Sequence, residues 1–275
     1  MAAVHPPIPS FEEPPVIEVV WSVQFTKLPW LTAAHTGLYW QQIKDEYPNC
    51  EEQLPIQPAE EPEDLLTPER GAGQLQMIPP LWRQWFISKS GTDLVQLQAD
   101  RLCINWRKMQ PGDRYPRYEY LREKFTTRWT HFCEFVIACS GEQLRVNQCE
   151  LTYVNYLHQG EGWSVPAEIG NVWPTFSWAK EKAFLPPPAT LGCEMTFDIK
   201  GANGRLHASC RHGRKTQQGE KGELFRFDLT ARGKPENTDL SSLLDWFVSA
   251  REWIVRGFAD LTHPDIQNLF WKRKQ

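Results

Sequence analysis

Residues 93–107 read DLVQLQADRLCINWR, and this stretch decides the fold. In its second half Leu102, Ile104 and Trp106 share one face of a strand, while Arg101, Cys103, Asn105 and Arg107 share the other. That is the period-two pattern of a strand with one apolar side. Ala99-Asp100 supplies a tight turn between two short strands, Asp93–Gln98 and Arg101–Arg107. Ser90-Gly91 supplies another after Gln84–Lys89, so the three strands form a meander. Pro111-Gly112 breaks the run. A helix follows over Tyr118–Ala138, with Tyr118, Leu121, Phe125, Trp129, Phe132 and Val136 on one stripe and Gly141 as its stop.

Upstream, Ile17, Val19, Trp21, Val23 and Phe25 alternate with Glu18, Val20, Ser22 and Gln24, which predicts a strand over Pro15–Phe25. A helix is expected at Leu31–Tyr47, with Thr32 as N-cap and Pro48 as its end. The second half repeats this order. A strand at Leu144–Leu157 is followed by an irregular stretch, by strands near Leu191–Lys200, Arg205–Arg211 and Leu224–Arg232, and by a helix at Leu240–Leu261 capped by Asp239. The expected fold is therefore α+β, with duplicated β-x-βββ-α units spanning 1–142 and 143–275. Their antiparallel sheet carries the long helices packed on one face. Met1–Pro14 is a Pro-rich lead-in, and two long connections interrupt the units. Segment 49–80 is rich in Pro and acidic residues, and its composition predicts an exposed, extended excursion. Segment 159–190 carries Trp163, Trp173, Phe176, Trp178, Phe184 and Pro186-Pro187-Pro188, and its rings must be buried over the sheet or its edge.

The 275 residues include 13 Trp and 14 Phe, enough aromatic area for a large core or a pocket wall. The formal charge of −4 gives no global attraction to nucleic acid or to an anionic membrane. Seven cysteines, an odd number without a C-x-x-C pair, predict reduced thiols and neither a disulfide framework nor a zinc site. No basic region leads into an apolar run at the N-terminus, and nothing approaches the ~18 uninterrupted apolar residues of a membrane span. The expectation is a cytoplasmic protein with no membrane partner.

With these pieces in place, the chain resembles an uncharacterised, sporadically distributed bacterial protein family of about this length. The resemblance rests on Pro14-Pro15 with Ile17-Glu18-Val19-Val20, Leu31–His35, Val95–Gln98 running into Asp100-Arg101, and Asn105-Trp106-Arg107. It continues through Tyr115-Pro116-Arg117-Tyr118-Glu119, Glu150–Asn155, Ala250-Arg251-Glu252 and Phe258. It implies a bacterial protein and no particular reaction. A scattered distribution suggests an accessory, antitoxin or immunity-type role with a protein partner, by analogy alone.

Three clusters are candidate sites. Arg107, Trp106, Arg117, Tyr118 and Glu119 flank the Pro111-Gly112 turn; the arginines offer forks for a carboxylate or phosphate and the rings offer pocket walls. The same residues are equally a strand-to-helix junction with a structural ion pair. Glu18 and Glu150 fall at comparable points of the first strand in each half and serve acid–base chemistry only if the halves bring them together. Arg205, His207, Arg211, His212, Arg214 and Lys215 make a basic strand and turn, which is either a solvated hairpin or a phosphate contact. His35 and His131 have no metal-site spacing, and no G-x-G-x-x-G, Walker loop or G-x-S-x-G occurs. Neither cofactor nor metal is expected. These residues point to a non-catalytic binding or interaction module. The alternative is a nucleic-acid-binding protein, or a metal-independent nuclease, using hairpin 205–215.

Overall fold

Strand β1 (Val16–Phe25) is the centre of the molecule. Its apolar face and its polar face are both needed, because it is paired on each side. β5 (Arg101–Arg107) lies along one edge and β6 (Val146–His158) along the other, placing Trp21 opposite both Ile104 and Leu151. The computed structural model describes residues 7–57, 61, 83–178, 184–200, 203–217 and 220–274, without the side chains of 215–217, 220 and 221. Within these residues the remaining strands are β2 (Asn49–Gln53), β3 (Arg83–Ile87), β4 (Asp93–Gln98), β7 (Gly192–Asp198), β8 (Asn203–Gln217) and β9 (Glu220–Lys234). One antiparallel sheet holds them in the order β2-β3-β4-β5-β1-β6-β9-β8-β7. Reading outward from the central pair, β1 is followed by β5, β4 and β3, and β6 by β9, β8 and β7. The protein is thus α+β, and position 142 falls between a helix and the second central strand of a continuous sheet.

Four α-helices complete the described chain: α1 (Ala33–Ile43), α2 (Arg117–Ser140), α3 (Leu240–Leu261) and α4 (Pro264–Leu269). Trp21 shows why α2 and α3 share one side of the sheet. Its ring is fully buried and lies 5.1 Å from the ring of Phe125 on α2 and 4.4 Å from that of Phe247 on α3. α1 joins the same side, where Tyr39 meets Phe86 and Phe132. Asp239 caps α3 by accepting from the Ser242 amide at 3.0 Å. α2 ends at Gly141, whose φ of 72° supplies the left-handed turn that most side chains resist. Thr32 does not cap α1 through its side chain; its hydroxyl pairs with His35 Nδ1 instead.

Several local readings are corrected. The excursion expected at 49–80 falls largely outside the described residues, but its first five form β2 against β3. Asn-Cys-Glu-Glu-Gln has no apolar alternation, and four of the five are exposed. Strand pairing at the edge, not burial, therefore defines that strand. The strands of the β8/β9 hairpin are 15 residues each, much longer than their apolar cores suggested. In segment 159–190, Trp163 and Trp173 are buried against Phe225 and Phe227 around a 3-10 helix at Pro166–Asn171, whereas Phe184 is exposed. The seven cysteines are free. No helix among the described residues is long and apolar enough to cross a membrane.

Candidate functional site

On the helix side of the sheet, the end of β1 meets the start of α2, the middle of α3 and the segment that precedes β1. That segment, Pro7–Pro15, is held down from two directions. Its backbone pairs with the C-terminal stretch: Glu12 and Glu13 amides donate to the Lys272 and Trp271 carbonyls, and the Lys274 amide donates to Ser10. Phe11 packs edge-on against Phe258 and Trp271, with ring centroids 5.5 and 6.4 Å away. Arg117 supplies the second hold, donating to the carbonyls of Phe11 at 2.9 Å and Glu12 at 3.2 Å. Its φ of 75° is rare for a residue with a Cβ and places a strained backbone at the first turn of α2.

Beneath this strap lies a cavity of about 190 Å³. Its floor is Val16, Leu229, Ile254, Val255 and Phe258, and its polar groups include Tyr115, Arg117, Tyr118, Tyr153, Asn155, Arg251 and, at the rim, Glu119. Tyr115 and Tyr153 share a hydroxyl–hydroxyl hydrogen bond of 2.9 Å. Burial raises both phenols, Tyr115 well above its ordinary range; at Tyr153 the Tyr115 hydrogen bond and the Arg251 charge oppose the rise. Asn155 spends its amide on the carbonyls of Phe227 and Tyr153. The Tyr118 hydroxyl is shut off from solvent and has no hydrogen-bond partner among the described residues. Burial pushes it up to about 12, against the opposing charge of Arg251. The Arg251 guanidinium lies 4.6 Å from the Tyr118 ring centroid and hydrogen-bonds Tyr153, and among the described residues no carboxylate pairs with it.

The cluster expected around the Pro111-Gly112 turn is therefore divided. Arg117, Tyr118 and Glu119 line the cavity. Trp106 is buried beside it, its ring 5.7 Å from that of Tyr115. Arg107 does not converge with Arg117. It shares the parity of Arg101 and Asn105, so it projects from the opposite face of the sheet, where it donates to the Gly91 carbonyl and stacks over Trp85. Sequence reasoning missed Tyr115, Tyr153, Asn155 and Arg251 as site residues. All four line the cavity although they are spread over about half of the chain.

That opposite face is polar and, at its centre, buried. Arg101 is 4% exposed and donates to Ser22 at 3.3 Å and Gln24 at 2.8 Å, with Glu150 at 3.8 Å. Glu150 is bound more closely by Arg232, at 2.6 Å. Glu18 accepts from Asn105, which in turn accepts from Gln96. Glu18 and Glu150 are thus held by different partners, and β1 pairs Glu150 with Ser22, four residues along from Glu18. They are not a carboxylate pair. Glu61 completes the network, reaching His207 at 2.6 Å, Arg205 at 3.3 Å and Arg232 at 3.4 Å. Burial would raise its carboxyl, but the hydrogen bonds and charges of His207, Arg205 and Arg232 outweigh this and hold it below the ordinary range.

The basic hairpin is spread over both faces and matched by acids. Arg205 meets Asp198 as well as Glu61; Arg211 meets Glu194; Arg214 meets Glu223. His212 turns to the helix face, where it lies against Phe225 and Trp163. The side chain of Lys215 lies outside the described residues. Alternation along β8 explains the split, since His207 and His212 differ in parity. Among the described residues, no three His, Cys, Asp or Glu side chains are grouped to hold a metal ion. Comparison with protein-family models, curated proteins and solved structures returned no match.

Proposed function

We propose that this protein is a non-catalytic binding module whose ligand site is the cavity under the Pro7–Pro15 strap. The observation that carries this reading is a cavity of about 190 Å³ lined by Tyr118, whose sequestered hydroxyl has no partner among the described residues. Apolar cavities of roughly 150 Å³ accept a single benzene ring, so the space suits one ring with a small substituent. Buried polar groups are nearly always satisfied, and a ligand is the natural partner for this one. The test is ligand-observed NMR with a set of single-ring compounds against the wild type and Val255→Phe, which fills the cavity from α3. Binding that vanishes in the filled, still folded variant supports the reading; undiminished binding there removes it.

An accessory, antitoxin or immunity-type role with a protein partner belongs to the same proposal, and a native-host pull-down that recovers no stoichiometric protein counts against it. The nucleic-acid alternative draws less support, because the cations of hairpin 205–215 that are described face acids at salt-bridge distance and their field is largely cancelled. Absence of binding to labelled RNA and DNA at low salt disposes of it. We also propose that the two halves are copies of one unit. The matching orders β1-β5-β4-β3 and β6-β9-β8-β7, each backed by a long helix, support that view.

A further inference from the structure

We infer that the cavity ligand is a monoanion, a carboxylate carried on a single aromatic or aliphatic ring, with Arg251 and Tyr118 as its anchors. The inference rests on the cavity reading above and adds the charge of the ligand. Its basis is an imbalance of partners. Arg251 is half-buried on α3, lines the cavity and has no carboxylate within ion-pair distance among the described residues; it lies against the face of the Tyr118 ring and hydrogen-bonds the Tyr153 hydroxyl. Arg117 is also without a carboxylate among the described residues, its fork being spent on two strap carbonyls. Against these two guanidinium groups the cavity lining offers one acid, Glu119, which is exposed at the rim.

The Tyr118 hydroxyl sharpens the choice. It is a buried donor lacking an acceptor among the described residues, and Arg251 beside its ring, bonded to Tyr153, keeps further N–H donors. An unsatisfied hydroxyl beside a guanidinium with N–H groups to spare calls for a ligand group that only accepts, which is the hydrogen-bonding character of an ionised carboxylate. The Tyr115 and Tyr153 hydroxyls bond each other, with Arg251 also on Tyr153, Asn155 spends its amide on two carbonyls, and prolines, Phe11 and aliphatic side chains make up most of the remaining lining. The ligand therefore meets charge at one end and Val16, Leu229, Ile254 and Phe258 at the other. An ammonium ligand fits poorly, because the nearest charges repel it.

The test uses the full-length protein with benzoate, phenylacetate and cyclohexanecarboxylate, alongside the uncharged benzamide, phenol and toluene. Affinities are read by calorimetry and ligand-observed NMR. The carboxylates should bind, and Arg251→Met and Tyr118→Phe should each weaken them by about tenfold or more, as expected for lost charge-assisted contacts. Tyr118→Phe should at the same time leave the ligand-free protein as stable as the wild type, because it removes a hydroxyl that is unsatisfied there. If the uncharged rings bind as well as the carboxylates, or Arg251→Met binds carboxylates undiminished, the anion inference fails and the cavity reading stands. If neither set binds, both fail.

Discussion

Replacing Glu150 with Gln should destabilise this protein far more than replacing Arg101 with Met, although the two residues face each other. The asymmetry comes from what each leaves behind. Arg101 is 4% exposed, and among the described residues its guanidinium meets, apart from Glu150, only the uncharged Ser22 and Gln24. Glu150→Gln therefore strands a buried cation, which typically costs about 3–5 kcal/mol. Arg101→Met leaves Glu150 paired with Arg232 at 2.6 Å, so the expected loss is roughly 1–3 kcal/mol, from hydrogen bonds to Ser22 and Gln24 that lose their donor. The double variant should recover part of the Glu150→Gln loss, because the stranded charge is gone. Urea denaturation followed by circular dichroism reads these differences. With a slope of roughly 2–3 kcal/mol/M, Glu150→Gln should move the midpoint down by about 1–2 M. A Glu150→Gln midpoint close to that of the wild type, or an Arg101→Met variant that is the weaker of the two, would refute the account of the buried face.

Three further outcomes follow from the same geometry. Trp21→Ala, which empties the contact between β1, α2 and α3, should cost about 3–5 kcal/mol; Trp21→Phe should cost much less, since the indole N–H it removes has no partner among the described residues, and equal losses in urea melts would contradict this. The Glu61 carboxyl titrates below its ordinary range, so its contribution to stability is present above the unfolded value and is lost as pH falls through the folded one. Thermal melts between about pH 3 and pH 6 should show wild type losing stability more steeply than Glu61→Gln, and parallel curves would count against the contact. Gly233→Ala should destabilise the β8/β9 pairing, because a Cβ there meets the Asn203 carbonyl across the ladder; an unchanged melting temperature would argue against so close an approach.

The legible part of this fold was its alternation. Leu102, Ile104 and Trp106 on one side of β5 and Val19, Trp21 and Val23 on one side of β1 placed the helix-facing layer correctly, because a single solvated or polar face leaves that periodicity intact. What the pattern does not encode is what covers the other face. Arg101, Asn105, Gln24 and Gln96 read as outward-facing polar residues, yet they are buried in a connected hydrogen-bond network. Partners for such groups come from β1, the β4–β5 hairpin and β6, three pieces that lie far apart in the chain. The same limit divided the candidate site. Arg107 and Arg117 are neighbours in sequence on either side of a turn, but the parity of β5 sends one to each side of the sheet. Tyr153 and Arg251 carried no motif of their own, and only the crossing of β6 and α3 brings them together with Tyr118.

The β1–β6 pairing has a consequence for how this chain is assembled. Its two strands lie in opposite halves of the sequence, and nine residue pairs join them, from Val16 with Asn155 to Phe25 with Val146. Neither half is closed without the other, since each alone would present a long strand edge with an aromatic row on one side and amide or charged groups on the other. The two pieces produced by a cut between residues 142 and 143 would therefore be poor monomers and good mates. Mixed together, they should reconstitute the sheet along this seam, and kept apart, each should self-associate through the same exposed edge.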